Sequence, residues 1–182
     1  METYIALLRG INVSGQKMIR MEELKRVLGE LDMKRITTFI QSGNILFESR
    51  KNDPAGLAAD IGGKILEHFG FVVPVVIRTI NELREISQNN PFLPDVHKDT
   101  EKMHVTFLSG KPDKVLENKI KEFQFLPEEF VLNQKEVYLY CPEGYGRTKL
   151  NNQFFENKLK VTATTRNWKT VGTLVTLGMS DR

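Results

Sequence analysis

Two parts of the chain combine glycine with Arg, Lys and Asn, the residue types that hold anions by charge and hydrogen bonding. The first is "RGINVSGQK" at 9–17, which directly follows an apolar run. The second comprises "PEGYGRTKL" at 142–150 and "TTRNWK" at 164–169. Glycine lets the backbone approach a ligand closely, and a helix that begins after such a loop offers free N–H groups to an anion. Both parts are therefore candidate anion-binding loops.

Patterns for other chemistry are missing from the sequence. The histidines, His68, His97 and His104, lack metal-ligand spacing, and Cys141 has no second cysteine as a partner. The spacings of a Walker phosphate loop, a dinucleotide-binding loop and a serine-hydrolase elbow do not occur. We expect no metal and no cofactor, and the sequence leaves open whether the protein is an enzyme.

The composition is that of an ordinary globular protein. The chain has 182 residues, of which 40% are hydrophobic and 27% charged, and its formal net charge is +3. Strong nucleic-acid-binding domains concentrate more positive charge than this. No apolar run reaches the length of a membrane span, and the N-terminus lacks a signal-peptide pattern. We expect a cytoplasmic protein that does not associate with a membrane.

The hydrophobic pattern of the first half predicts the order βαββαβ, which is the ferredoxin-like order. Asp53-Pro54 is a typical helix start, with Asp as the N-cap and Pro at the first helical position. Pro74 suits an edge strand, where the last of these strands would lie. The predicted strands are 3–8, 35–40, 44–49 and 72–78, and the predicted helices are 20–31 and 54–69.

The second half repeats this order with one helix added. Trp168, Val171 and Val175 mark that closing helix, with Thr164 or Thr165 as its N-cap. The predicted strands are 102–108, 129–133, 136–141 and 160–165, and the predicted helices are 112–122 and 149–159. We therefore predict an α+β fold of two ferredoxin-like (βαββαβ) subdomains packed together, with an extra C-terminal helix. The expected boundaries are 1–79, a connecting helix and loop over 80–101, and 102–182.

A 4-1-3-2 strand order places the polar loops on shared sheet edges. In the first subdomain, the loop after the first strand and the turn "QSGN" at 41–44 lie on one edge, roughly 10 Å apart. In the second, the loops after the third and fourth strands share the opposite edge. The predicted ligand-binding residues are Arg9, Asn12, Ser14, Gln41, Ser42 and Asn44 on the first edge, and Arg147, Lys149, Arg166, Asn167 and Trp168 on the second.

These residues predict a protein that binds a small phosphate- or carboxylate-bearing ligand. One alternative is a nucleic-acid-binding module, against which the missing aromatic RNA-binding motif counts. Another is a structural or protein-partner role, in which the glycines serve turns and Trp168 packs in the core with Val171 and Val175. The oligomeric state is not predicted.

Six stretches resemble a bacterial family known only as domain of unknown function 1697. They are "ALLRGINVSG", "FIQSGNILF", "VVPVVIRT", "NPF", "EVYLYCPEGYGRTKL" and "TATTRNWKTV". The resemblance extends over nearly the whole chain in the expected order. It implies paired α+β subdomains of ferredoxin-like character and no particular activity.

Overall fold

The computed structural model describes residues 1–180 and shows an α+β fold with two four-stranded antiparallel sheets. Within those residues there are eight strands and six α-helices. The strands are β1 (Glu2–Leu8), β2 (Lys34–Phe39), β3 (Asn44–Ser49), β4 (Val75–Thr79), β5 (Met103–Leu108), β6 (Glu129–Asn133), β7 (Glu136–Tyr140) and β8 (Ala163–Asn167). The helices are α1 (Met21–Leu28), α2 (Pro54–Phe69), α3 (Ile80–Gln88), α4 (Lys114–Ile120), α5 (Asn152–Leu159) and α6 (Trp168–Ser180).

The chain divides into two compact units. Unit 1 contains Met1–Leu83 and the segment from Leu174 onward, and unit 2 contains Arg84–Thr173. The boundaries between the two units fall at 83/84 and 173/174. The C-terminal part of α6 belongs with unit 1 because Gly178, which has no side chain, lies against Ile80 and Leu46.

Unit 1 has the strand order β2-β3-β1-β4. On β1, Tyr4 lies opposite Phe47 of β3 and Thr79 of β4. Alternate residues of β1 point to one face of the sheet, where they join the apolar sides of α1 and α2 in one core. This strand order puts the end of β1 beside the turn between β2 and β3.

The ends of α2 follow from its sequence. The Asp53 side chain accepts a hydrogen bond from the Gly56 backbone N–H at 3.0 Å, and Pro54 occupies the first helical position. Gly70 ends the helix in the left-handed conformation with φ +77°. The predicted helix start is confirmed.

Unit 2 has the equivalent strand order, β6-β7-β5-β8. Its core joins Leu108 and Leu139 of the sheet to Phe155 and Leu159 of α5. Cys141 is buried in the same core, and burial raises the pKa of its thiol to about 11. The thiol is therefore protonated at neutral pH.

The last strand and the cap of the last helix differ from the expectation. The strand covers Ala163–Asn167 rather than 160–165, so both Thr164 and Thr165 lie within it. Asn167 caps α6 instead, because its side-chain Oδ1 accepts from the Thr170 N–H at 2.8 Å. Among residues 1–180, no helix has the length and apolar character needed to cross a bilayer.

Candidate anion-binding site

Asn12 joins the loop after β1 to the turn between β2 and β3. Its Nδ2 donates to the backbone oxygens of Ile19, at 3.0 Å, and Gln41, at 2.8 Å, while its Oδ1 accepts from the Ile19 N–H at 2.8 Å. Its φ of +53° lies in the left-handed region, which asparagine tolerates better than most residues. Both amide hydrogens are used within the protein, and the expected gap between the two loops is bridged at this point.

The turn itself is held by Asn44 and Gly43. Asn44 is fully buried, and its Nδ2 donates to the Phe39 backbone oxygen and the Ser42 Oγ, each at 3.0 Å. The Gly43 oxygen accepts from the Leu8 N–H at 2.8 Å. The structure therefore brings Asn12, Gln41, Ser42 and Asn44 to one edge, where Asn44 bonds within the turn and Asn12 bonds across to Gln41.

The remaining polar residues of this edge are spread over the loop. Arg9 is half-buried and its backbone N–H donates to the Pro74 oxygen at 3.0 Å. Ser14 is exposed, with φ +51°. The Lys17 Nζ donates to the Val72 backbone oxygen at 2.7 Å. This lysine is thus used to attach the loop to the segment before β4.

A cavity of about 660 Å³ lies beside this edge. Of the predicted residues, Asn12 and Gln41 line it, together with Glu22 and Glu23 from the first turn of α1. Carboxylates at that position already complement the positive end of the helix. Arg20 also lines the cavity, so one cation stands against two carboxylates there, and the net negative charge disfavours an anion.

Arg166 lies inside β8 rather than in the loop where the sequence pattern placed it. It lies opposite Val105 of β5 in the sheet and is 7% exposed. Its guanidinium donates to the Thr164 Oγ1 at 2.8 Å and to the Thr165 backbone oxygen at 2.9 Å. Burial lowers its pKa to about 10, which leaves the group charged at neutral pH. Asn167 caps α6 and half-buried Trp168 begins it.

Arg147 and Lys149 lie together on the exposed loop that follows β7. Arg147 ends a 3₁₀ turn, Tyr145–Arg147, and both side chains line a cavity of about 370 Å³. Within the described part of the chain, neither side chain forms an ion pair or a hydrogen bond. The cavity is also lined by Gln124, Phe125, Leu126, Pro127, Glu128 and Glu143.

A partly buried polar network fixes this loop on the sheet of unit 2. The Tyr145 hydroxyl donates to the Thr165 Oγ1 at 3.0 Å, and that hydroxyl donates to the Asn152 Oδ1 at 2.7 Å. The Thr106 Oγ1 lies 2.7 Å from the same Thr165 oxygen. The network therefore holds the turn that carries Arg147 against β5, β8 and α5.

The His104 ring supports the same tyrosine. The two rings stack with their centroids 4.9 Å apart. Burial lowers the pKa of His104, which favours its neutral form beside the tyrosine ring. His104 thus packs against the loop and adds no positive charge to the site.

The segment 124–128, which the residue pattern did not predict as part of a site, forms the other wall of the Arg147 cavity. It contributes Phe125, Leu126 and the carboxylate of Glu128. The signal in the sequence was the group of large apolar residues Phe123, Phe125 and Leu126, directly before Pro127. Across residues 1–180, no three or more His, Cys, Asp or Glu side chains are grouped so that they could hold a metal ion.

Comparison with solved structures shows a similar fold in a conserved bacterial protein, SP0830, from Streptococcus pneumoniae. The two chains are 21% identical, the TM-score is 0.77, and the match covers 97% of this chain and 98% of that one. No curated protein matches the chain. The model of the DUF1697 family, described as proteins of unknown function, matches residues 1–138. The chain therefore belongs to the DUF1697 family.

Proposed function

We propose that this protein binds a small phosphate- or carboxylate-bearing ligand, and that Arg147 and Lys149 hold its anionic group. The observation that carries the proposal is the pair of cations lining one cavity without a partner from the described residues. Elsewhere on the two polar edges, the side chains predicted to bind a ligand include several that are already bonded within the protein. Asn12, Asn44, Arg166 and Asn167 are examples.

The fixed loop supports this proposal. An anion site gains affinity when its donors are held in place before the ligand arrives, because less freedom is lost on binding. Tyr145 is hydrogen-bonded to Thr165, and Thr148, between the two cations, is buried. The loop backbone is thus anchored on both sides of Arg147.

The two carboxylates of the cavity restrict the ligand. Glu128 and Glu143 balance the charges of Arg147 and Lys149, so the cavity is not strongly positive as a whole. A ligand with three or more negative charges would exceed the two cations and meet repulsion from these carboxylates. The arrangement suits a single carboxylate or a phosphate monoester.

We also propose a ferredoxin-like classification for each unit and a cytoplasmic location. The order βαββαβ and the strand orders β2-β3-β1-β4 and β6-β7-β5-β8 support the classification. The single cysteine, Cys141, is a buried free thiol, which suits a reducing compartment.

The test is a titration with inorganic phosphate and with acetate at low, constant ionic strength, with thermal unfolding as the readout. Ligand binding to the folded state raises the melting temperature. We expect Arg147→Ala combined with Lys149→Ala to weaken the apparent affinity at least about tenfold, since a hydrogen bond to a charged group contributes about 1.5–3 kcal/mol. Glu143→Gln should strengthen binding, because it removes a repelling carboxylate.

A charge-matched control is Lys111→Ala combined with Lys119→Ala. Both lysines are exposed, lie in unit 2 and are outside the cavity. This control variant should bind like the wild type. Equal affinities in the wild type and the Arg147/Lys149 variant would contradict the proposed site.

A further inference from the structure

A second cavity in unit 2 is also lined by residues of the segment 124–128. Its volume is about 620 Å³, and its walls are mainly apolar, with Phe123, Phe125, Phe130 and Val131 among them. This volume is within the range of about 300–1,000 Å³ that is usual for small-molecule sites. We call this cavity the phenylalanine groove.

The groove and the Arg147 cavity share one wall. Gln124, Phe125, Leu126 and Glu128 line both of them. A ligand that extends along this shared wall would therefore contact cationic side chains at one end and aromatic side chains at the other.

The aromatic walls are packed in place. Phe154 of α5 contacts Phe125 edge-to-face, with the ring centroids 5.2 Å apart, and contacts Phe123 in the same way at 5.7 Å. The Lys158 Nζ lies 4.4 Å from the centroid of the Phe123 ring. Such contacts favour one orientation of the Phe123 and Phe125 rings.

Apolar surface is exposed along the groove. Leu126 is 80% exposed and Val131 is 40% exposed, and both line it. Exposed apolar surface beside a cavity is typical of a binding site. Its position next to two cations indicates a ligand with both an apolar and an anionic part.

We infer that the ligand is an amphipathic organic anion, with its charged group at Arg147 and Lys149 and its apolar body in the phenylalanine groove. This inference rests on the proposed function, since it uses the same pair of cations. It narrows the ligand class to organic acids or phosphate monoesters that carry an aliphatic or aromatic chain. Sugar phosphates, which are polar throughout, would gain nothing from the groove.

The test compares acetate, butanoate, hexanoate and octanoate below their micelle concentrations, with melting temperature as the readout. We expect the apparent affinity to rise about fourfold for each methylene group that enters the groove, since burying one is worth about 0.8 kcal/mol. The apparent affinity should stop rising once the alkyl chain of the ligand fills the groove.

Two variants test whether the alkyl chain of the ligand lies in the phenylalanine groove. Val131→Thr should reduce the gain with chain length and leave acetate binding unchanged, because Val131 lines the groove and not the Arg147 cavity. Leu126→Ala, on the wall that both cavities share, should also reduce the gain with chain length. Leu126 is largely exposed, so its removal should leave the fold intact. Leu66→Ala is the control, because Leu66 is a 46% exposed leucine of unit 1 outside the groove, and it should retain the full gain.

The outcomes separate the two proposals. Arg147-dependent binding that is equally weak for every chain length would overturn the groove assignment and leave the proposed function standing. Chain-length-dependent binding that survives Arg147→Ala with Lys149→Ala would overturn the link between the groove and the cations. If neither phosphate nor any carboxylate binds, both proposals fail.

Discussion

The two units share a strand order but use their polar loops differently. In unit 1, the loop after β1 and the turn after β2 are joined by hydrogen bonds through Asn12 and Gly43. In unit 2, the loop after β7 is fixed by Tyr145, and the side chains of Arg147 and Lys149 extend beside it without partners among the described residues. Similar residue types therefore join two loops by hydrogen bonds in unit 1, whereas in unit 2 they leave two cationic side chains able to bind a ligand.

This difference shows which feature identifies a candidate site. Glycine, asparagine and cations occur on both edges, so composition alone does not separate them. The separation comes from counting the partners of each polar group, because a donor already bonded within the protein has less to offer a ligand. By that count the edge in unit 2 is the better candidate.

The largest expected effect concerns the glycines of the two loops. Gly43 has φ +76°, and a Cβ there would lie 2.7 Å from the Leu8 Cβ and 2.8 Å from the Ile11 Cδ1. We expect Gly43→Ala to lower the free energy of unfolding by about 2–5 kcal/mol, from backbone strain and overpacking together.

The matched change in unit 2 is Gly146→Ala. A Cβ at Gly146 meets nothing within 4 Å, and its φ lies outside the left-handed region. We expect a change within about 0.5 kcal/mol. Urea unfolding of both variants measures the difference, and similar losses would show that the two loops are packed alike.

A smaller effect is expected at the polar side chains. Asn12→Ala removes three hydrogen bonds, each worth about 0.5–1.5 kcal/mol, so we expect a loss of about 2–3 kcal/mol. Arg147→Ala removes an exposed side chain without partners in the described structure and should change stability by less than about 0.5 kcal/mol. The same urea experiment applies, and a large loss at Arg147 would assign it a structural role.

Much of the fold could be predicted from local signals. Asp53-Pro54 and Gly70 mark the ends of α2, since capping is decided by residues close in sequence. Strand order also predicted that the loop after β1 and the turn at 41–44 share one edge, and the Asn12–Gln41 hydrogen bond shows that they meet there. These features depend on residue type and topology rather than on side-chain packing.

The remaining features depend on contacts between distant parts of the chain. The run "VTATTRN" is compatible with a strand that begins at more than one residue. The pattern therefore predicts a loop position for Arg166, which is a buried strand residue. The wall that 124–128 forms opposite Arg147 has no periodic signal, because it depends on how an irregular segment packs. Without that wall the sequence could not distinguish Arg147 and Lys149 from other exposed cations.

The most direct test of an anion site at Arg147 and Lys149 is the response of backbone amide NMR signals to inorganic phosphate. We predict that the signals of residues 143–150 shift in a saturable way, and that those of 9–17 and 40–44 do not. The shifts should disappear in the variant that combines Arg147→Ala with Lys149→Ala. Saturable shifts confined to 9–17 and 40–44 would contradict the account, because they would place the anion on the edge whose polar groups the structure has already paired.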